Sequence, residues 1–222
     1  EFTLTGTDLG IAFITPPATP FAPASLPVYA NLKNFGADSI LNADIHWSIN
    51  GTPQPVVNWT GALGSGDTSS VFLGLYSFAN KINYSIEARS ENPNGITDLI
   101  TSNDTATITD VVAAFAGNYT LGGSTPDFEN FNVAAYWLGL GGVVAPVTVN
   151  VRSGTYTEQV SFTPIMGTDT VNHIVFQSET GDSSAVVLEH NSTSSNNYIL
   201  KFGGASWMTF QQMTVQALNA NY

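Results

Sequence analysis

The runs VTVNV at 147–151, HIVFQ at 173–177 and YILKF at 198–202 alternate apolar with polar residues and return at almost constant spacing. Offset from them lie EQVSF at 158–162, AVVLE at 185–189 and WMTFQQMTV at 207–215. Taking one apolar residue from each run, Val149, Val175 and Leu200 form one series and Val160, Val186 and Phe210 another, with intervals of 26, 25, 26 and 24 residues. A period of that size marks stacked coils, each too small to bury its own apolar side. The reading is a right-handed parallel β-helix of two to three coils. Its valines and phenylalanines stack at the interstrand distance of about 4.8 Å.

The first half has a different rhythm. Short alternating runs at Leu9–Ile14, Leu26–Asn34, Ala43–Ile49, Val56–Trp59, Ser69–Leu73, Asn83–Ala88 and Asp104–Thr109 are separated by turn clusters. Asn50-Gly51 is a strong hairpin signal, because both residues tolerate positive φ. Asn34-Phe35-Gly36, Gly64-Ser65-Gly66 and Asn92-Pro93-Asn94-Gly95 mark further turns. Seven strands at this spacing predict an immunoglobulin-like sandwich over 1–110, with Trp47 and Trp59 in its core or flanking a hairpin.

The second domain is expected over 111–222, joined through VVAAFAGNYTLGG. Ser124-Thr125-Pro126-Asp127 opens the one helix of the chain, with Thr125 as N-cap and Pro126 in the first turn. Phe128, Phe131, Ala135 and Leu138 share one face, which would roof the first coil of the β-helix.

Composition narrows the function classes. Seventeen acidic residues against five basic give a net charge of −12, which repels phosphate backbones, so no nucleic-acid partner is expected. The chain has no cysteine, excluding disulfides and thiolate chemistry. No apolar run reaches the length of a membrane span, so no membrane insertion is expected. The chain starts at Glu1-Phe2 rather than Met and is read as a processed or excised piece of something longer.

PVYANLKNFG at 27–36, ADIHWSINGTPQ at 43–54, WTGALGSGDTSSVFLG at 59–74 and NPNGITDLITSND at 92–104 resemble the CARDB type of immunoglobulin-like domain. AGNYTLGG at 116–123, PDFENFNVAAYWL at 126–138 and APVTVNVRSGTYTEQVSF at 145–162 resemble the opening of pectin-lyase-like right-handed β-helices. Both halves thus resemble modules of large secreted surface proteins of Bacteroidota. The resemblance implies export by the type IX route, an extracellular or cell-surface location, and an adhesive or polysaccharide-handling role. It also makes Asp38-Ser39-Ile40, Asp104-Thr105-Ala106 and Asp169-Thr170-Val171 candidate O-glycosylation motifs at Ser39, Thr105 and Thr170.

A lyase or hydrolase on this fold needs grouped carboxylates, for calcium or as an acid and base, together with a basic residue. Arg152 and Glu158 flank the Ser153-Gly154-Thr155-Tyr156 corner and read as a charge pair fixing it. Glu179 and Asp182 bracket a loop able to hold calcium. His173 and His190 have no partner at metal-ligand spacing and read as satisfied or solvated. No phosphate loop or nucleophile elbow occurs. Among aromatics suited to stacking on sugar rings, Tyr76, Trp137 and Trp207 are the candidate ligand-binding residues. Trp137 lies off the main helix stripe, so it either projects outward or wedges between the domains.

These observations predict a non-enzymatic adhesion or structural segment with no cofactor, calcium aside. Its partners would be a polysaccharide or cell-surface ligand, or copies of itself. Trp207, Met208, Phe210, Met213 and Val215 form a candidate self-association edge, able to propagate into filaments if copies stack head to tail. One alternative is the N-terminal part of a polysaccharide lyase or glycoside hydrolase with its catalytic coils downstream. A carbohydrate-binding module is the other.

Overall fold

The computed structural model describes residues 6–98 and 100–218. It is all-β apart from one α-helix and a 3-10 turn, and it divides into two compact units. One comprises residues up to Ala18 together with Pro23–Val112; the other comprises Ala113 onward together with Thr19–Ala22. The short stretch joins the second unit through the Ala114 amide, which donates to the Phe21 carbonyl at 2.8 Å.

The first unit is an immunoglobulin-like arrangement of two antiparallel sheets. In one, β1 (Leu9–Thr15), β2 (Ala24–Asn34) and β6 (Thr68–Phe78) lie in the order β1-β2-β6. The other is built on β3 (Ile40–Ile49), which pairs with β4 (Thr52–Pro53), β5 (Val57–Leu63) and β7 (Tyr84–Glu91), while β7 pairs with β8 (Thr105–Val111). Period-2 alternation puts Val28, Ala30 and Leu32 on one inner face and Ile45, Trp47 and Ile49 on the other, all buried. Trp47 reaches across to β6, where a side chain at Gly74 would collide with its ring. The Asn50-Gly51 hairpin forms with φ of 49° and 74°, and Ile49 faces Thr52 across it.

The second unit is parallel throughout. A first strand, β9 (Phe115–Leu121), precedes α1 (Phe131–Gly141). There follow β10 (Val143–Val151), β11 (Gly154–Thr157) and β12 (Val160–Phe162), then β13 (Ile174–Ser178), β14 (Val186–His190) and β15 (Leu200–Phe202), then β16 (Met208–Gln211) and β17 (Thr214–Ala217). They form three sheets, ordered β16-β13-β10-β9, β11-β14-β17 and β12-β15. Each circuit of the chain therefore visits three faces.

This corrects the two series read from the sequence. Val149 faces Phe176 rather than Val175, Val160 faces Leu200, and Val186 faces Gly154. Thus Leu200 leaves the Val149 series, and Val160, Val186 and Phe210 lie in three different sheets. True offsets run from 27 residues, Val147 to Ile174, to 40, Val160 to Leu200. The near-constant interval arose because strands of different faces share one alternating pattern, and corner length varies freely without disturbing the stack.

The helix also begins later than Thr125-Pro126 suggested. Thr125 has φ of 46°, and the Asp127 carboxylate accepts hydrogen bonds from the Thr120 amide and hydroxyl, tying this stretch to β9. Asn130 is the N-cap, its side chain accepting from the Val133 amide at 2.9 Å. Phe128, Phe131, Ala135 and Leu138 are nevertheless all buried, because the later start keeps the same face inward. Alongside β12, α1 covers the near side of the coil.

Glu158 and Arg152 do not pair. The Glu158 carboxylate instead accepts from the Phe131 and Asn132 amides, at 3.1 and 3.0 Å, and from the Asn132 side chain. It therefore satisfies helix N-terminal donors and sits at the positive end of the helix dipole. Arg152 donates to the Gly122 and Ser124 carbonyls and lies 3.9 Å from Glu179. Glu158→Ala is expected to destabilise the second unit by about 1 kcal/mol, with Glu158→Gln losing less, as read from urea unfolding followed by tryptophan fluorescence.

Candidate functional site

Interior rows of the coil are sealed until the last one. Val160, Phe162, Ile174, Phe176, Val186 and Leu188 have no exposed surface. Phe176 stacks on Phe131, with ring centroids 5.8 Å apart, and on Phe210, with centroids 4.7 Å apart and planes within 1°. Phe162 stacks on Phe202 at 6.2 Å. Above this row nothing lies within the described residues: β15, β16 and β17 each have a partner strand on one side only. Phe202, Trp207 and Val215 consequently stand 47%, 50% and 44% exposed. Met208, Phe210 and Met213 are partly buried against the core.

A polar ladder follows the same register outside. The Gln211 amide donates to Gln177 Oε1 at 2.9 Å, and the Gln177 amide donates to Asn150 Oδ1 at 3.1 Å. Such amide ladders reward in-register stacking. All five residues of the predicted association edge therefore lie on this last coil, Trp207 with φ of 58° just before β16.

The remaining candidates are dispersed. Tyr76 is half-buried in edge contacts with Phe78 and Tyr84. Trp137 is partly buried against the core of its own unit, in edge contact with the exposed Tyr136. Glu179 faces Arg152, and Asp182 Oδ1 accepts from the Ser184 amide and hydroxyl, which holds its carboxyl below the usual range. His173 is exposed, and His190 is partly exposed. Ser39, Thr105 and Thr170 are all exposed. Among the described residues, no three histidine, aspartate or glutamate side chains are arranged to hold a metal ion.

One polar cluster escaped the sequence reading. Asp8 and Asp104 are only 2% and 7% exposed, and Asp98 lies close enough to raise the Asp104 pKa. Asp98 accepts from the Leu9 and Ile100 backbone amides at 2.7 and 3.0 Å, and Asp8 Oδ1 accepts from the Asn103 side-chain Nδ2 at 2.8 Å. Asp104 Oδ1 and Asn103 Oδ1 are buried with no hydrogen-bond partner. Burial first, then the Asp98 and Asp8 charges, push Asp104 up to about 6, against a smaller opposing effect of Arg89. Three isolated aspartates, up to 96 residues apart in the chain, give no sequence signal; their meeting depends on β1 lying against β7 and β8, with the Leu9 amide donating to Asp98 and the Ile11 amide to the Asn103 carbonyl.

The folded state thus binds the Asp104 proton more tightly than the unfolded chain. The stability it contributes is complete below the ordinary aspartate value of about 3.9 and is lost as pH rises through about 6. With divalent cations removed, Asp104→Asn is expected to melt close to wild type near pH 4 and several degrees above it near pH 8, by thermal melts across that range.

No protein-family model matches the chain, and no curated protein does. Solved structures similar to it include a CARDB domain from Pyrococcus furiosus, crystallised in complex with di-metal ions, at 22% identity and a TM-score of 0.40 over 51% of this chain and 94% of that one. The solution structure of the same domain aligns at 23% identity and 0.39, over 48% and 94%. A domain of a candidate cell surface protein from Methanosarcina acetivorans aligns at 18% and 0.41, over 49% and 92%.

Proposed function

We propose that this chain is a non-catalytic segment of an extracellular or cell-surface protein. In this reading the second unit opens a pectin-lyase-like right-handed parallel β-helix, and its last coil is a contact surface. The observation that carries the proposal is the stacked aromatic row that ends at the exposed Phe202 and the partly buried Phe210, beside an amide ladder ending at Gln211. An unpaired parallel edge over an unroofed apolar row favours further β-structure. The net charge of −12 keeps indiscriminate association low, so contact depends on shape and register.

For the isolated chain, the occupant we propose for this open edge is a second copy. Because α1 covers the opposite face of the coil, copies meet through the same surface twice, which closes as a pair. A rigid pair of coils would carry adhesive surfaces outward. Light scattering on the purified chain at micromolar concentration is expected to give a dimer, and Phe210→Lys with Val215→Lys to weaken it at least tenfold, since two charges would then enter an apolar contact. A monomer at every concentration overturns self-association, and fibres would replace the closed pair by head-to-tail stacking.

A second reading rests on a different place. Exposed Tyr136 borders a cavity of about 380 Å³ together with Asn132, Ser161 and Thr163. An aromatic face beside amide and hydroxyl groups suits a sugar ring. A carbohydrate-binding role predicts that a soluble oligosaccharide changes the fluorescence of neighbouring Trp137, and that Tyr136→Ala removes the response. No change across neutral and acidic oligosaccharides would rule it out.

A further inference from the structure

The groove beside Tyr136 runs between α1 and the end of β12. Ala135 and Gly139, one turn apart on the helix, line it together with Tyr136 and Leu140. Across from them, Ser161 and Thr163 flank the fully buried Phe162, so strand alternation turns both outward. A Cβ at Gly139 would meet the Thr163 hydroxyl oxygen at 3.1 Å. Glycine weakens a helix relative to alanine, but here it leaves the space beside Thr163 open. The Tyr136, Ser161 and Thr163 hydroxyls make no hydrogen bond to the described residues. Asn132 commits its Nδ2 to Glu158 at 2.8 Å, which leaves its Oδ1 as an acceptor at the rim. Tyr136 is held in edge contact with Trp137, ring centroids 5.1 Å apart, so less side-chain freedom is lost when a ligand meets it.

Charge decides what fits. No residue lining the groove is an acid, a lysine, an arginine or a histidine. Of the basic side chains in the second unit, Arg152 is engaged by the Gly122 and Ser124 carbonyls beside Glu179, and Lys201 lies over the Tyr198 ring. The charge set against the lining is instead negative, the Glu158 carboxylate on Asn132. We propose that this groove binds a neutral pyranose unit of a polysaccharide and rejects a uronate. The proposal rests on the carbohydrate-binding reading above and adds the class of sugar to it. A uronate carboxylate entering here would give up water, find no cation and approach Glu158, in a chain of net charge −12. A neutral ring exchanges water for Ser161, Thr163 and Asn132 Oδ1, while its C–H face covers the Tyr136 ring. At about 380 Å³ the groove is at the small end of ligand sites, so it holds a short stretch of a glycan chain.

The test is a tryptophan-fluorescence titration of the whole chain at neutral pH and low ionic strength. Its probes are cellohexaose, xylohexaose and mannohexaose on one side and hexagalacturonate on the other. Saturable binding of at least one neutral probe is expected, with hexagalacturonate weaker by about tenfold or more. Glu158→Gln, and raised ionic strength in wild type, should each narrow that gap several-fold, since both reduce the repulsion. Gly139→Ala should melt at or above the wild-type temperature yet bind the neutral probe several-fold more weakly, an outcome that a merely structural glycine would not give. If hexagalacturonate binds as tightly as the neutral probes and Tyr136→Ala abolishes both, the site takes carbohydrate but the selectivity proposed here is overturned. If no probe binds, the carbohydrate reading falls and this inference with it. Neutral binding that survives both Tyr136→Ala and Gly139→Ala places the sugar elsewhere and overturns it too. The wild-type comparison of the two probe classes decides the selectivity even if a variant fails to fold.

Discussion

The second unit depends on one constraint: in a parallel coil every interior row is sealed only by the row stacked on it. Backbone pairing sets the distance between rows, and side chains at the same register position must then fill that distance. Phe131, Phe176 and Phe210 do so as consecutive aromatic layers, and Val149 underlies Phe176 in the backbone register. The two ends of such a stack are solved differently. On the near side α1 lays Phe131, Ala135 and Leu138 over the core, and its own exposed amides are met by Glu158 from the corner before β12. The far side has no such roof among the described residues.

This asymmetry leaves one apolar row unroofed among the described residues. Ile174, Phe176 and Leu188 are sealed, whereas Phe210 and Val215, one row further, meet water; the residue types hardly change between rows. Position in the stack, not composition, therefore decides which apolar side chains are available for contact. The Asn150–Gln177–Gln211 ladder adds direction, since it rewards a neighbour only in matching register.

How far the sequence could be read follows from the range of each signal. Alternation over five residues found most strands of both units, and Asn50-Gly51 found its hairpin, because these are local properties; Gly154–Thr157, read as a corner, is instead strand β11, and the run 207–215 holds two strands of different sheets. Which sheet a strand joins is not local. AVVLE and HIVFQ carry the same pattern, so the assignment of Val186 to the Val160 series followed spacing alone and failed. The helix start moved for a similar reason: Thr125-Pro126 is a sound opening in isolation, but Thr120 on β9 claims Asp127 first. Arg152 and Glu158, six residues apart, look like partners until the coil brings Asn132 to one and Glu179 to the other.

The acidic cluster of the first unit shows the same limit from the opposite direction. Sequence proximity drew attention to Glu179 and Asp182, yet Asp182 is consumed by its own turn. Asp8 and Asp104 are far apart in the chain, and Asp104 stood out there only as the first residue of a candidate glycosylation motif, but both are buried by the fold. Elsewhere this unit satisfies its buried polar groups carefully. Asn34 donates to the Asp38 and Leu63 carbonyls and accepts from the Gly36 amide, and the Ser90 hydroxyl donates to the Leu9 carbonyl. Asp104 Oδ1 and the neighbouring Asn103 Oδ1 are the exceptions, buried acceptors without a partner, and this unmatched burial, with the Asp98 and Asp8 charges nearby, is what pushes the Asp104 carboxyl up to about 6.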